Sequence, residues 1–123
     1  MKKIESTPNS PEIVLDEENN LLEIKGNSYL SNPVKLYQFL FDWVSAPIGN
    51  PNLTFKIIIN IGYCSSSSTQ ILNNLLKLIG QNLKYKIELV FFIDEEDKED
   101  NLQKVKEICF NTSLEPVINY YNL

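Results

Sequence analysis

The chain has no histidine at all, and only two cysteines. Without histidine it lacks the usual general base near neutral pH and the commonest metal ligand. Ser-His and Cys-His nucleophilic mechanisms are therefore excluded. Cys64 and Cys109 stand far apart and form no CxxC pair, so no zinc motif is present and both are expected as reduced thiols in the cytoplasm. Positive charge is also scarce: 11 Lys and Arg face 16 Asp and Glu, for a net charge of −5. That balance argues against a nucleic-acid partner, which would need clustered cations. No run is long and apolar enough to span a bilayer, and the opening Met1-Lys2-Lys3 leads into polar residues rather than the apolar core of a signal peptide, so no membrane partner is expected.

What is present fits one domain. With 123 residues there is room for a single core of ordinary depth. Residues 1–11 are polar, carry Pro8 and Pro11, and read as a flexible N-terminal arm; residues 12–123 read as the domain. Ile13 and Leu15, then Leu22 and Ile24, alternate with polar residues around Asp16–Asn20, as in a hairpin. Gly26 to Asn32 reads as a loop. Asn32 and Pro33 then open a helix with Val34, Tyr37, Leu40, Phe41 and Val44 at helical spacing, which Pro47 ends before a connection at Ile48–Asn52. Leu53–Ile61 and Lys84–Ile93 read as strands, each with one fully apolar face and one mixed face. Ser65–Ile79 reads as a helix with Ile71, Leu72, Leu75, Leu76 and Ile79 on its apolar stripe. An acidic run from Asp94 leads into a third helix, and Val117–Tyr121 reads as a last edge strand. The order β-β-α-β-α-β-α-(β) predicts an α/β fold. Its mixed sheet would have four to five strands, with helices mainly on one face and Ile58, Val90 and Phe92 on the other.

The most informative segment is the junction Gly62-Tyr63-Cys64-Ser65-Ser66-Ser67-Ser68-Thr69. A strand ends there, a helix begins, and five hydroxyl residues stand in a row. One or two would serve as an N-cap. The first turn of a helix offers free N–H groups and the positive end of the dipole, which favours phosphate, bound or attached. A serine-rich cap with no further role accounts for the same residues. Cys64 with Gln70 imitates the anion loop of cysteine phosphatases, but that chemistry needs Arg where Gln70 stands. The glycines and Lys-Ser/Thr pair of a P-loop are missing, and Asp94–Asp97 lacks the spacing of a calcium loop. No catalytic residue, metal or cofactor is expected.

Taken in order, several features resemble the SiaC family of bacterial regulatory phosphoproteins, which is similar in fold to the STAS domain of anti-sigma-factor antagonists. They are Ser6-Thr7-Pro8, Gly26-Asn27-Ser28-Tyr29 with Asn32, Asp42-Trp43, Tyr63–Ser68, and Phe92–Asp97. The resemblance implies a non-enzymatic switch with Ser66 as phosphate acceptor, standing where the family typically has Thr. Tyr63, Ser65, Ser67, Ser68 and Thr69 would be its neighbours and helix cap. It further implies a Ser/Thr kinase of histidine-kinase-like fold and a PP2C-type phosphatase. The partner would be a diguanylate cyclase or another signalling protein, met by Ser28, Tyr29, Asp94, Glu95 and Glu96. The sequence departs from the family at Leu30, where Pro is usual, and at Gln70, where a Lys is common; the second change removes a cation that would face a phosphate. Two other classes compete for the junction: a small-molecule or anion-binding module at the same helix start, and an enzyme built on Cys64.

Overall fold

Period-two patterning decides the sheet, and the connections decide where the helices lie. The structure, a computed structural model, describes residues 1–30, 32–45, 52–83 and 86–122. Its strands are β1 (Lys2–Ile4), β2 (Glu12–Asp16), β3 (Leu21–Ser28), β4 (Phe55–Cys64), β5 (Ile87–Asp94) and β6 (Pro116–Tyr121). Its helices are α1 (Val34–Ser45), α2 (Ser66–Asn82) and α3 (Lys98–Cys109). The six strands form one sheet in chain order, antiparallel from β1 to β3 and parallel from β3 to β6. Each parallel crossover steps one strand in the same direction. With right-handed connections, all three helices must then cover the same face.

That face is the core. Ile13 and Leu15 of β2, Leu22 and Ile24 of β3, Phe55, Ile57 and Ile59 of β4, and Leu89, Phe91 and Ile93 of β5 are buried together. Against them pack Tyr37, Leu40 and Val44 of α1, Leu72, Leu75, Leu76 and Ile79 of α2, and Val105 and Ile108 of α3. Trp43 joins them, its ring 5.2 Å from that of Phe55, whereas Val34, placed on the apolar stripe by its spacing, is exposed. Val34 is the first residue of α1, where the helix has not yet turned its face to the sheet. On the opposite face Ile58 and Phe92 are half-buried. Val90 is buried there without any helix above it, because Ile58 and Val117 stand beside it in register.

Three expectations need correction. The sheet has six strands, not four to five. The extra one is β1, drawn from the segment expected as a flexible arm. Ile4 packs onto the core, Lys3 pairs with Glu5 and Glu12 at 3.5 and 3.9 Å, and the Lys2 ammonium sits 5.0 Å over the Phe39 ring. Residues 7–10 then close a turn, with the Thr7 and Ser10 hydroxyls 2.6 Å apart. Second, Gly26 to Ser28 belong to β3 rather than to a loop. The register shifts between Gly26 and Ser28, and Gly26 adopts a φ of +123°, which L side chains rarely reach. This bulge turns Ser28 into the interior. Third, β4 runs on to Cys64, so the helix starts directly off the strand end. The expected positions of Ser31, Pro47, Ile48 to Pro51, Lys84 and Tyr85 lie outside the described residues.

Burial pushes the Cys109 thiol from an ordinary 9.0 up to about 11. The folded chain therefore holds a proton that the unfolded chain releases first. This contribution to stability is complete below pH 9 and is lost as pH rises through about 11. Urea unfolding should show the stability gap between the parent and Cys109→Ala narrowing across that range. A gap that stays constant or widens contradicts the assignment.

Candidate functional site

Because β3 to β6 are parallel, their carboxyl ends share one edge of the sheet, and the chain leaves each strand there. Ser28 and Tyr29, the Tyr63–Thr69 junction, and Asp94–Glu96 all stand along this edge.

The junction is built on Ser65, which ends the strand and caps the helix. Its extended backbone (φ −68°, ψ 162°) and its Oγ, accepting from the Ser68 N–H at 3.2 Å, make it the N-cap of α2. Its own N–H donates to the Ser28 carbonyl at 2.9 Å, and its carbonyl accepts from the Thr69 N–H at 2.8 Å and the Thr69 Oγ1 at 2.9 Å. The cap was expected at Ser67 or Ser68 as well as Ser65. The structure gives the role to Ser65 alone and spends Ser68 differently.

Ser68 is fully buried. Its Oγ accepts from Ser28 Oγ at 2.8 Å and lies 3.1 Å from Ser65 Oγ, which also reaches the Leu30 carbonyl at 3.4 Å. Ser28 Oγ meets Tyr37 Oη at 2.8 Å. A serine hydroxyl has one proton, and that of Ser28 goes to Ser68, so Tyr37 is the donor to Ser28. Burial holds the Tyr37 hydroxyl well above its ordinary value, so it stays protonated and keeps donating. Four hydroxyls thus run in a line from α1 through β3 into the first turn of α2.

Ser66 and Ser67 are left outside that line, and both are exposed. As the first two residues of α2 their N–H groups have no intrahelical acceptor. No acidic residue occupies the first turn. Ser66 sits on a crest between two grooves. One, of about 290 Å³, is lined by Ser66, Thr69, Gln70, Asn73 and Glu107; the other, of about 500 Å³, runs past Asn32, Pro33, Val34 and Ile71 and also takes in Ser67. Beside the crest, Tyr29 and Tyr63 meet edge to face, centroids 5.1 Å apart, and each is more than half exposed. Asn27 Oδ1 fixes Tyr63 by accepting its N–H at 2.9 Å, and Tyr29 N–H donates to the Asn9 carbonyl at 2.9 Å.

Cys64 does not suit nucleophilic chemistry. It is buried, its Sγ lies 3.3 Å from Thr69 Oγ1, and burial pushes its thiol up, away from the reactive thiolate. Gln70 donates to Asn74 Oδ1 at 3.1 Å and leaves no cation at its position. Asp94, Glu95 and Glu96 share the edge but are organised among themselves. Glu96 N–H donates to Asp94 Oδ1, Glu95 N–H donates to the Tyr121 carbonyl, and Asn101 donates to the carbonyls of Asp94 and Glu96. Among the described residues no group of His, Cys, Asp and Glu could hold a metal ion, and no helix is long and apolar enough to cross a membrane. Asn27 and Tyr37 escaped the sequence-based site: the first lay in a presumed loop, and the second had the spacing of an ordinary core residue.

Replacing Ser65 by Ala removes the cap and should cost about 1 kcal/mol of stability, whereas Ser67→Ala should stay within about 0.5 kcal/mol. Denaturant unfolding of the two variants checks this, and equal losses would contradict the assignment of the cap.

No curated protein matches the sequence. Among solved structures, the chain is similar to one from the crystal structure of the diguanylate cyclase SiaD in complex with its activator SiaC from Pseudomonas aeruginosa. The TM-score is 0.84 at 20% identity, over 98% of this chain and 100% of that one. Apo-SiaC from the same organism gives 0.79 at 20% identity over 97% and 99%, and a further SiaC structure 0.81 at 21% over 98% and 100%. At these identities the likeness establishes the α/β fold. The sequence model of SiaC family regulatory phosphoproteins matches residues 4–117, nearly the whole length, and the chain belongs to that family.

Proposed function

We propose that this chain is a non-enzymatic switch: reversible phosphorylation of Ser66 controls its binding to a signalling protein. The observation that carries this reading is the division of the serine run. Ser65 and Ser68 are consumed by the cap and the buried hydroxyl line, while Ser66 stands exposed at the first helical position, between two grooves and near an exposed aromatic pair.

The chemistry supports it. A phosphate adds about −1.5 to −2 charge at neutral pH, and the first turn of α2 offers it free N–H groups and no competing carboxylate. The exposed rings of Tyr29 and Tyr63 give a partner apolar area at the same place. The similar P. aeruginosa protein occurs with a diguanylate cyclase whose activator it is, which favours an enzyme of that class as partner. A Ser/Thr kinase of histidine-kinase-like fold and a PP2C-type phosphatase would write and erase the mark. The acidic edge at Asp94, Glu95 and Glu96, with Tyr29, completes the proposed contact surface, whereas Ser28, expected to meet the partner, is buried and acts from inside by holding the junction.

Incubation with the kinase and tandem mass spectrometry should place the phosphate on Ser66; a phosphate on Ser65, Ser67, Ser68 or elsewhere, or none, overturns the assignment. In a binding titration Ser66→Asp should weaken partner affinity about tenfold or more relative to Ser66→Ala, a difference of about 1.4 kcal/mol. Equal affinities would remove the switch.

A further inference from the structure

The groove on the α3 side of Ser66 ends at Glu107. Asn73 holds that wall in place: its Nδ2 donates to the carbonyls of Glu107, Ile108 and Phe110 at 3.3, 2.9 and 2.8 Å, so α3 cannot readily withdraw from α2 here. One turn back along α3, Lys104 Nζ sits 3.6 Å from Glu107 Oε2, with both side chains more than a third exposed and free to rearrange. Lys104 also lines the small cavity under Gly62 and Cys64, on the strand that leads into the junction. It therefore links Glu107, in the groove beside Ser66, to the strand end from which α2 starts. The charges of Lys104 and Glu107 both reach the Cys64 thiol, the first lowering it and the second raising it, against the larger effect of burial.

Few other charged or titratable groups face Ser66. Among the described residues, α2 carries none before Lys77, the last two residues of β4 add Tyr63 and Cys64, and the groove toward α1 is lined by Asn32, Pro33, Val34, Ser67, Ile71 and Asn74. Lys35 of α1 lines a different groove, against β1. The chain contains no arginine.

We propose that Lys104 is the cation for a phosphate on Ser66: it turns to the phosphate from Glu107, and Glu107 remains as the carboxylate that opposes the added charge. This rests on Ser66 as the modified residue and names how its charge is received. In the unmodified chain the ion pair neutralises the end of the groove. With a phosphate present the strongest local anion is the phosphate, and a doubly charged group competes better for the single ammonium than a carboxylate does. Lys104 thus supplies from α3 the cation that Gln70 does not supply from α2.

The test places phosphoserine at position 66 of the full chain by codon reassignment and follows its second ionisation by phosphorus NMR at low salt. A neighbouring cation favours the doubly charged form and a carboxylate disfavours it. Relative to the parent, Lys104→Gln should raise that pKa by about 0.3 and Glu107→Gln should lower it by about 0.3, the range expected for exposed pairs, and both displacements should shrink in high salt. Agreement of all three proteins within about 0.1, or displacements of opposite sign, overturns the proposal. The installed phosphate needs no kinase. Failure of the mass-spectrometric mapping would therefore overturn Ser66 as the natural acceptor, while a flat titration would overturn only the role of Lys104 and Glu107.

Discussion

Three elements of this protein are held in register by one small side chain. Ser28 arrives in the interior because a bulge at Gly26 turns the end of β3 inward. Its carbonyl takes the N–H of Ser65, its hydroxyl reaches Ser68, and it receives the hydroxyl of Tyr37. A buried polar group is tolerated only when its partners are all supplied, and a half-satisfied network is worse than none. The start of α2 is therefore placed relative to β3 and α1 by bonds that fail together. The rigidity of the junction follows from this, and so does its asymmetry: two serines of the run face inward to complete the network, and two are released to solvent.

That asymmetry separates the serines that build the junction from those open to solvent. A charge added to Ser68 would have to enter a sealed hydroxyl cluster, where desolvation costs several kcal/mol (roughly). A charge added to Ser66 meets water, two unpaired N–H groups and the positive end of the helix dipole. The proposed modification at the exposed position would leave the network standing and change only the outer surface. Salt limits the reach of such a charge to about 10 Å, so the residues that respond are those lining the adjoining grooves and the tyrosine pair. The overall charge of −5 is a background against which this local change is read.

Local patterning carried much of the fold. Strand alternation and helical spacing located the hairpin, the two central strands and all three helices, because each of those elements buries a face of its own. What escaped depends on distant partners. β1 exists because Ile4 finds the core and Lys3 finds Glu12, neither of which is visible in a polar, proline-flanked segment. The burial of Ser68 depends on Ser28, forty residues earlier, so four consecutive serines look alike until the sheet brings β3 beside the junction. Nothing in the sequence singles out Lys104 or Glu107, and only the packing of α3 against α2 brings Glu107, paired with Lys104, to the groove beside Ser66. The helix start itself was legible, since a strand running into a row of hydroxyls leaves few other outcomes.

The composition of the edge also suits the recognition role proposed for it. Its exposed groups include hydroxyls, amides, two phenol rings and the carboxylates of Glu95 and Glu96. The Cys64 thiol is buried beneath the junction, and burial favours its protonated form. Tyr29 and Tyr63 show the complementary property: they are large, stiff side chains left more than half exposed, each with its backbone N–H tied down. Rigid aromatic area is favourable for an interface because little entropy is lost when it is covered. A chargeable hydroxyl beside preorganised aromatic area is what a binding surface needs in order to be turned off by one anion, since desolvating a phosphate against apolar rings opposes the contact that the rings alone would favour.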